Sequence, residues 1–272
     1  MNTIFSGRAF ASAAFGAISL FAVGGGVAYA GSVTQPGETV GLSIGSPLPP
    51  GWYFENTGSI GQRGDVNEGV NIPVIAWSTP WTLFGGRIEP LIAQPELYVG
   101  NHKAGTFSSG WYNPFVAAMI AWDLGGGLGV SYLAGAYIGF SGHDFGSAFD
   151  QNTFRQDIHF TYANNGWTGV ANLIFGIVGD NKATHAANPD YFNYDLSLTK
   201  TFGKWSFGPV AFGSADVASP AGHAAQTQFA LGGIVGYNFG PVILQAYLTN
   251  DVTQSNYGAN ETRFWMRVIV PL

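Results

Sequence analysis

Phe154-Arg155-Gln156-Asp157-Ile158-His159-Phe160-Thr161-Tyr162-Ala163, followed by Asn164-Asn165-Gly166 and then Trp167, decides how this chain folds. Phe154, Gln156, Ile158, Phe160 and Tyr162 fall on one side of an extended strand, and Arg155, Asp157, His159 and Thr161 on the other. A period of two with one greasy and one chargeable face is a strand signature. Asn164-Asn165-Gly166 supplies residues that adopt positive φ at low cost, so the chain turns back at once into a second strand.

The same unit recurs on both sides. Alternation predicts strands near 52–61, 69–78, 86–99, 111–122, 128–140, 154–163, 167–179, 191–202, 205–215, 227–238, 242–250 and 261–271, an even dozen. In the eighth, Phe192, Tyr194, Leu196 and Leu198 oppose Asn193, Asp195, Ser197 and Thr199. In the last, Phe264, Met266, Val268, Val270 and Leu272 oppose Arg263, Trp265, Arg267 and Ile269.

The connections alternate as well. Residues 123–127, 164–166, 203–204 and 238–241 are short and rich in Asn and Gly, whereas 62–68, 100–110, 141–153, 180–190, 216–226 and 251–260 are longer and polar. Only the aromatic joint 79–85 breaks that rule. Strict alternation of short turns and long loops is the layout of a closed antiparallel transmembrane β-barrel, with short turns periplasmic and longer loops extracellular.

Composition agrees. Hydrophobic residues make up 46% of the chain and charged residues only 10%, against about 25% charged in an ordinary soluble domain. Placing the short turns in the periplasm brings Trp52, Trp77, Trp81, Trp122, Trp167 and Trp205 to one end, six of the eight tryptophans. Indole rings favour the membrane interface, so these six read as an aromatic girdle, whereas a soluble sandwich would spread them along its strands.

The first thirty residues set the address. A single basic residue, Arg8, precedes a run of apolar and small residues that ends at Ala28-Tyr29-Ala30, the small-x-small form of a secretory signal. Residues 1–30 are therefore expected to be a cleaved signal peptide, 31–51 a polar leader that hangs in the periplasm or tucks into the barrel mouth, and 52–272 the barrel. Without Arg8 the formal charge moves from −6 to −7, which disfavours nucleic acid as a partner. The absence of cysteine excludes disulfides, thiolate metal sites and a Cys nucleophile.

Catalytic signals are weak, and the chain is not expected to be an enzyme. Of the histidines, His102, His143, His185 and His223 fall in predicted loops, and His159 alone sits on a strand, facing inward. An outer-membrane lipid hydrolase needs Ser, His and a polar orienter on the lipid side. Gly125-Gly126-Gly127-Leu128-Gly129 lacks the following helix and Lys-Ser/Thr of a phosphate loop and reads as a hairpin turn. No spaced carboxylate loop for Ca²⁺ is present, so neither metal nor cofactor is expected.

Inward positions are the candidate site: Arg87, Glu89, Arg155, Asp157, His159, Asn193, Asp195, Gln228, Gln245, Arg263 and Arg267. Mixed signs suit a narrow or filled passage better than an ion-selective pore. Arg155, Asp157 and His159 present donors and an acceptor at two-residue spacing, able to orient a phenolic hydroxyl or a carboxylate, or else to pair among themselves. Stretches 113–121 and 167–179 are apolar on both registers, so part of the wall is expected to be greasy.

Leu48-Pro49-Pro50-Gly51-Trp52-Tyr53, Ala121-Trp122-Asp123-Leu124, Asn193-Tyr194-Asp195-Leu196-Ser197-Leu198-Thr199 and the terminal Val270-Pro271-Leu272 resemble the outer-membrane transporter family associated with the meta-pathway of phenol degradation. Where that family carries Pro-Thr-Gly after the fifth strand, this chain has Gly139-Phe140-Ser141-Gly142. The resemblance implies an outer-membrane barrel that admits hydrophobic compounds, aromatic ones among them.

The sequence thus predicts a passive channel in the bacterial outer membrane for small hydrophobic solutes. Lipid and lipopolysaccharide would surround it, and the barrel assembly machinery would recognise its last strand. A structural or surface-binding barrel with a plugged lumen is the alternative, and a lipid hydrolase the third reading.

Overall fold

The structure, a computed structural model, describes residues 32–141, 144–145 and 147–272; the expected signal peptide lies outside the described residues. Twelve strands form one antiparallel ring. They are β1 (Gly51–Arg63), β2 (Val66–Ser78), β3 (Gly86–Ala93 continuing as Glu96–Asn101), β4 (Thr106–Trp111 continuing as Phe115–Gly125), β5 (Leu128–Tyr137) and β6 (Thr153–Asn164). The second half holds β7 (Trp167–Val178), β8 (Asp190–Phe202), β9 (Trp205–Ala218), β10 (Thr227–Asn238), β11 (Ile243–Ser255) and β12 (Glu261–Pro271). Each strand pairs with its chain neighbours, and β1 pairs with β12 from Tyr53↔Pro271 to Arg63↔Glu261, which closes the ring. Closure leaves no open sheet edge in lipid around most of the circumference.

The stretch 154–167 folds as its pattern dictates. Asn165 and Gly166 take φ of 49° and 74°, the two positive values of a tight hairpin turn, and β6 pairs with β7 from Asn164↔Trp167 onward. Phe154, Ile158, Phe160 and Tyr162 point out to lipid, and Arg155, Asp157, His159 and Thr161 are buried inside.

Three features depart from the expected layout. The connection 62–68 is not a long loop: the ladder runs to Arg63↔Val66 and leaves only Gly64-Asp65 as a turn. The joint 79–85 contains a two-residue extended piece, Thr82–Leu83, folded back on β3. Strands β3 and β4 are each broken, because Pro95 and Pro114 have no N–H for the ladder. The bends line up across the wall: Gln94 N donates to Pro73 O, Tyr112 N to Pro95 O and Ile138 N to Pro114 O. Beyond that line Thr106–Trp111 pairs only with Glu96–Asn101, and Trp111 N is met by the Asp144 carboxylate at 2.9 Å.

The girdle sits on the outer surface at the short-turn end. Trp52 and Trp77 are cross-strand partners, stacked at 5.2 Å, with Trp81 edge-on to Trp77 at 5.1 Å. Trp122 Nε1 donates to Phe84 O, and Trp167 carries the Lys200 ammonium 5.1 Å above its ring. Trp205 stacks on Phe207.

Candidate functional site

The lumen is not empty. Residues 32–50 run through it, entering at the periplasmic end, where Leu48 N donates to Glu89 and Ser78 Oγ donates to Leu48 O. Further up, Ser131 Oγ donates to Ile44 O at 2.7 Å and Gly45 N to Thr161 Oγ1 at 3.0 Å. Near the extracellular end Thr34 shares a 2.6 Å hydrogen bond with Tyr191, and Asn193 Nδ2 donates to Ser32 Oγ at 2.7 Å. The leader expected to hang in the periplasm or tuck into the barrel mouth instead threads most of the barrel's length. Its polarity reads as a solvated linker in one dimension; only the closed wall shows that its backbone groups are matched by inward side chains.

A turn at residues 35–40 is clamped from two sides. Asp195 on β8 accepts from Gly37 N at 2.9 Å, Thr39 N at 2.8 Å and Thr39 Oγ1 at 2.7 Å. From the other side Arg267 on β12 donates to Val40 O at 2.6 Å and to Glu38 O, while Tyr247 OH donates to Gly37 O at 2.9 Å. An anion thus holds the N–H groups and a cation the carbonyls, and these charge-assisted bonds are the stronger kind. Gly37 is required there: its φ is +91°, and a Cβ would lie 2.8 Å from the Phe212 ring.

The cluster Arg155, Asp157 and His159 adjoins the clamp: His159 stands in register with Asn172, which pairs with Asp195 and donates to Thr39 O at 2.9 Å. Arg155 Nε and Nη2 grip the Asp157 carboxylate at 2.8–3.0 Å, and Nη1 reaches Glu38 Oε1 of the inserted segment at 2.6 Å. The Arg155 guanidinium also lies 5.1 Å over the Phe115 ring. His159 is wholly buried, 3.2 Å from Asn172 Oδ1 through Nδ1 and 3.6 Å from Asp157 through Nε2.

The remaining predicted positions divide by height. Glu89 and Arg87 face the periplasmic end, Arg87 donating to Thr79 O. Asn193 and Asp195 face the segment, and Gln245 bridges Gly41 O and Arg267. Gln228 and Arg263 belong to a second network at the extracellular end, apart from the segment. There Arg63 pairs with Asp251 at 3.0 Å, Arg263 with Glu261 at 2.6 Å, and Gln228 donates to Asp251 at 2.7 Å. The Arg63 guanidinium sits over Tyr257, whose phenol burial pushes well above its ordinary value.

Sequence reasoning missed Glu38, Thr39, Asn172, Arg63, Asp251 and Glu261. Asp251 continues the inward parity of Tyr247 and Thr249, a signal hidden by ending the eleventh strand at residue 250. Glu38 and Thr39 carry no periodicity, and only the fold gives them partners.

The inner wall is divided. On β2 to β4 it presents Val70, Ile72, Ala93, Phe115, Ala117 and Met119, all buried and apolar. On β6 to β8 it presents Arg155, Asp157, His159, Asn172, Asn193 and Asp195, together with a small apolar patch of Ile174 and Val178 against which Val33 of the segment packs. Among the described residues, the hydrogen bonds from the inserted segment to β2–β4 fall at the periplasmic end, on Ser78 and Glu89.

A closed twelve-strand antiparallel barrel with lipid-facing aromatics and short turns at one end is a bacterial outer-membrane barrel. The chain belongs to the family described as "Putative MetA-pathway of phenol degradation", whose model matches residues 52–268. The COG4313 outer membrane channel from Pseudomonas putida F1 shares this fold, with a TM-score of 0.68 at 12% identity over 85% of this chain and 98% of that one. The β domain of the Bordetella autotransporter BrkA matches with a TM-score of 0.52 at 13% identity over 83% of this chain and all of the other. No curated protein matches the sequence.

Proposed function

We propose that this protein is a passive outer-membrane channel for small hydrophobic solutes, aromatic ones among them, and that they move along the apolar wall of β2–β4 beside the inserted segment. The observation that carries this reading is the division of the lumen. The segment is hydrogen-bonded along its length to β5–β8, β11 and β12, whereas on β2–β4 its hydrogen bonds fall at the periplasmic end. Val40, with the half-buried Ile44 packed on it, joins an apolar cluster that unites Val70, Ile72, Phe115, Ala117 and Met119 of β2–β4 with Phe212, Ile234 and Trp265 of β9, β10 and β12. Apolar contacts have no directional geometry to break, so the β2–β4 side yields to a guest more readily. A benzene-sized ring leaving water there gains about 4 kcal/mol, at roughly 25 cal/mol per Å² over about 150 Å². A sugar gains little and must give up its hydration. Residues 1–30 are read as the cleaved export signal, which leaves the inserted segment close to the mature amino terminus.

Family membership and the fold shared with an outer membrane channel support the transport class. His159 is hydrogen-bonded to Asn172 inside the barrel, away from lipid, which argues against a role in a lipid hydrolase. A plugged structural barrel is the second reading, favoured by the density of the clamp around Gly37–Val40.

Reconstitution of the mature chain into liposomes separates them, with protein-free liposomes as the control for leak. Faster entry of phenol-like aromatics with little sugar or salt flux is the expected result. No protein-dependent flux of any solute would give the plugged structural barrel the lead.

A further inference from the structure

We infer that the Arg155 guanidinium is a recognition site for the carboxylate of an amphiphilic acid, and that Glu38 of the inserted segment occupies it in this structure as an internal stand-in. The inference rests on the channel reading above and narrows its solute class. Its basis is the unequal standing of the two carboxylates on Arg155. Asp157 belongs to the same strand and takes Nε and Nη2. Glu38 takes Nη1 at 2.6 Å and comes from the inserted segment, where it is the one acidic residue between positions 32 and 50. Two hydroxyls flank the same nitrogen, Tyr137 OH at 3.2 Å and Thr34 Oγ1 at 3.4 Å. A second carboxylate oxygen would find donors there.

The surroundings fit an acid with an apolar body. Arg155 lies over Phe115, and Phe115 lies 4.6 Å from Tyr137, which meets Tyr112 at 6.0 Å. Ala117 and Met119 continue the apolar face down β4 from Phe115. A head group on Arg155 Nη1 therefore places a hydrocarbon or aromatic tail against that wall. Exchanging Glu38 for the solute's carboxylate keeps Arg155 paired, which avoids an uncompensated guanidinium; the freed Glu38 carboxylate must turn into the lumen without its partner, and that is the cost Glu38→Gln removes. A neutral ester offers no such replacement.

The test compares dodecanoate with methyl dodecanoate, each radiolabelled, binding to the full mature chain in nanodiscs after subtraction of empty nanodiscs. Glu38→Gln keeps the side-chain shape and removes the competing charge. It is expected to tighten dodecanoate binding roughly tenfold, the scale of one charge-assisted hydrogen bond, and to leave the ester unchanged. Arg155→Gln is expected to abolish the preference for acid over ester, and Arg155→Lys to retain part of it. Heat-modifiable electrophoretic migration checks that each variant is folded; should Arg155→Gln not fold, the Glu38→Gln comparison decides alone. Equal binding of acid and ester in wild type and Glu38→Gln would overturn the carboxylate site and leave the hydrophobic channel standing. No binding of either compound above empty nanodiscs would overturn both.

Discussion

The inner faces of β2–β4 and β6–β8 line the same cavity, yet they hold the inserted segment by different physics. Val70, Ile72, Phe115, Ala117 and Met119 offer area and no partners, while Arg155, Asp157, Asn172, Asn193 and Asp195 offer directional partners at fixed heights. A hydrogen bond to a buried charge is expensive to leave unmade, so the polar wall sets where the segment lies. An apolar contact slides at small cost, so the greasy wall is the side on which we propose that a guest enters. The same pleat builds both walls. Only the residues on the inward parity differ.

Removing a charge from the polar side should have the largest effect. Arg267→Ala leaves the part-buried Glu55 without its 3.1 Å partner and frees the carbonyls of Glu38 and Val40, so a loss of about 3 kcal/mol is expected. Urea unfolding in lipid vesicles measures it, and a loss below about 1 kcal/mol would break the contrast between the walls.

Asp195→Ala should come next and act locally. It strips the acceptor from Gly37 N, Thr39 N and Thr39 Oγ1, about 3 kcal/mol of anchoring and hence roughly a hundredfold rise in the open population of the segment. The chain has no native cysteine, so maleimide reaction at Val40→Cys reads that opening directly. An unchanged rate would mean that the clamp is not what holds the turn.

The apolar wall should respond differently. Met119→Ala is expected to cost about 2 kcal/mol through lost packing while leaving the Val40→Cys labelling rate where it was. A labelling increase as large as that of Asp195→Ala would show that both walls anchor the segment alike. The smallest effect belongs to the outer surface: Lys200→Ala removes the cation above Trp167 and should cost about 0.5 kcal/mol, as exposed cation–π pairs do, with solute flux unaltered.

Much of the architecture was legible in one dimension because a barrel wall imposes a period of two, and Asn165-Gly166 and its counterparts mark the turns. The strands were read shorter than they are wherever polar residues continue the inward parity beyond the membrane, as at Arg63 and Asp251. The prolines at 73, 95 and 114 show no alignment along the chain, and pairing alone brings their carbonyls into one line across β2 to β5. Arg155, Asp157 and His159 stood out because two-residue spacing puts them on one face, whatever lies across from them.

The sequence by itself determined a twelve-strand outer-membrane barrel, its orientation from turn lengths and tryptophans, and the chargeable inward face of β6, because these follow from local periodicity and from what lipid tolerates. Only the tertiary structure decided that residues 32–50 fill the lumen, that Asp195 and Arg267 grip opposite sides of one turn, and that Glu38 meets Arg155 across 117 residues of chain. Such contacts arise when a closed ring brings distant inward positions within hydrogen-bond reach of a segment that has no periodicity of its own.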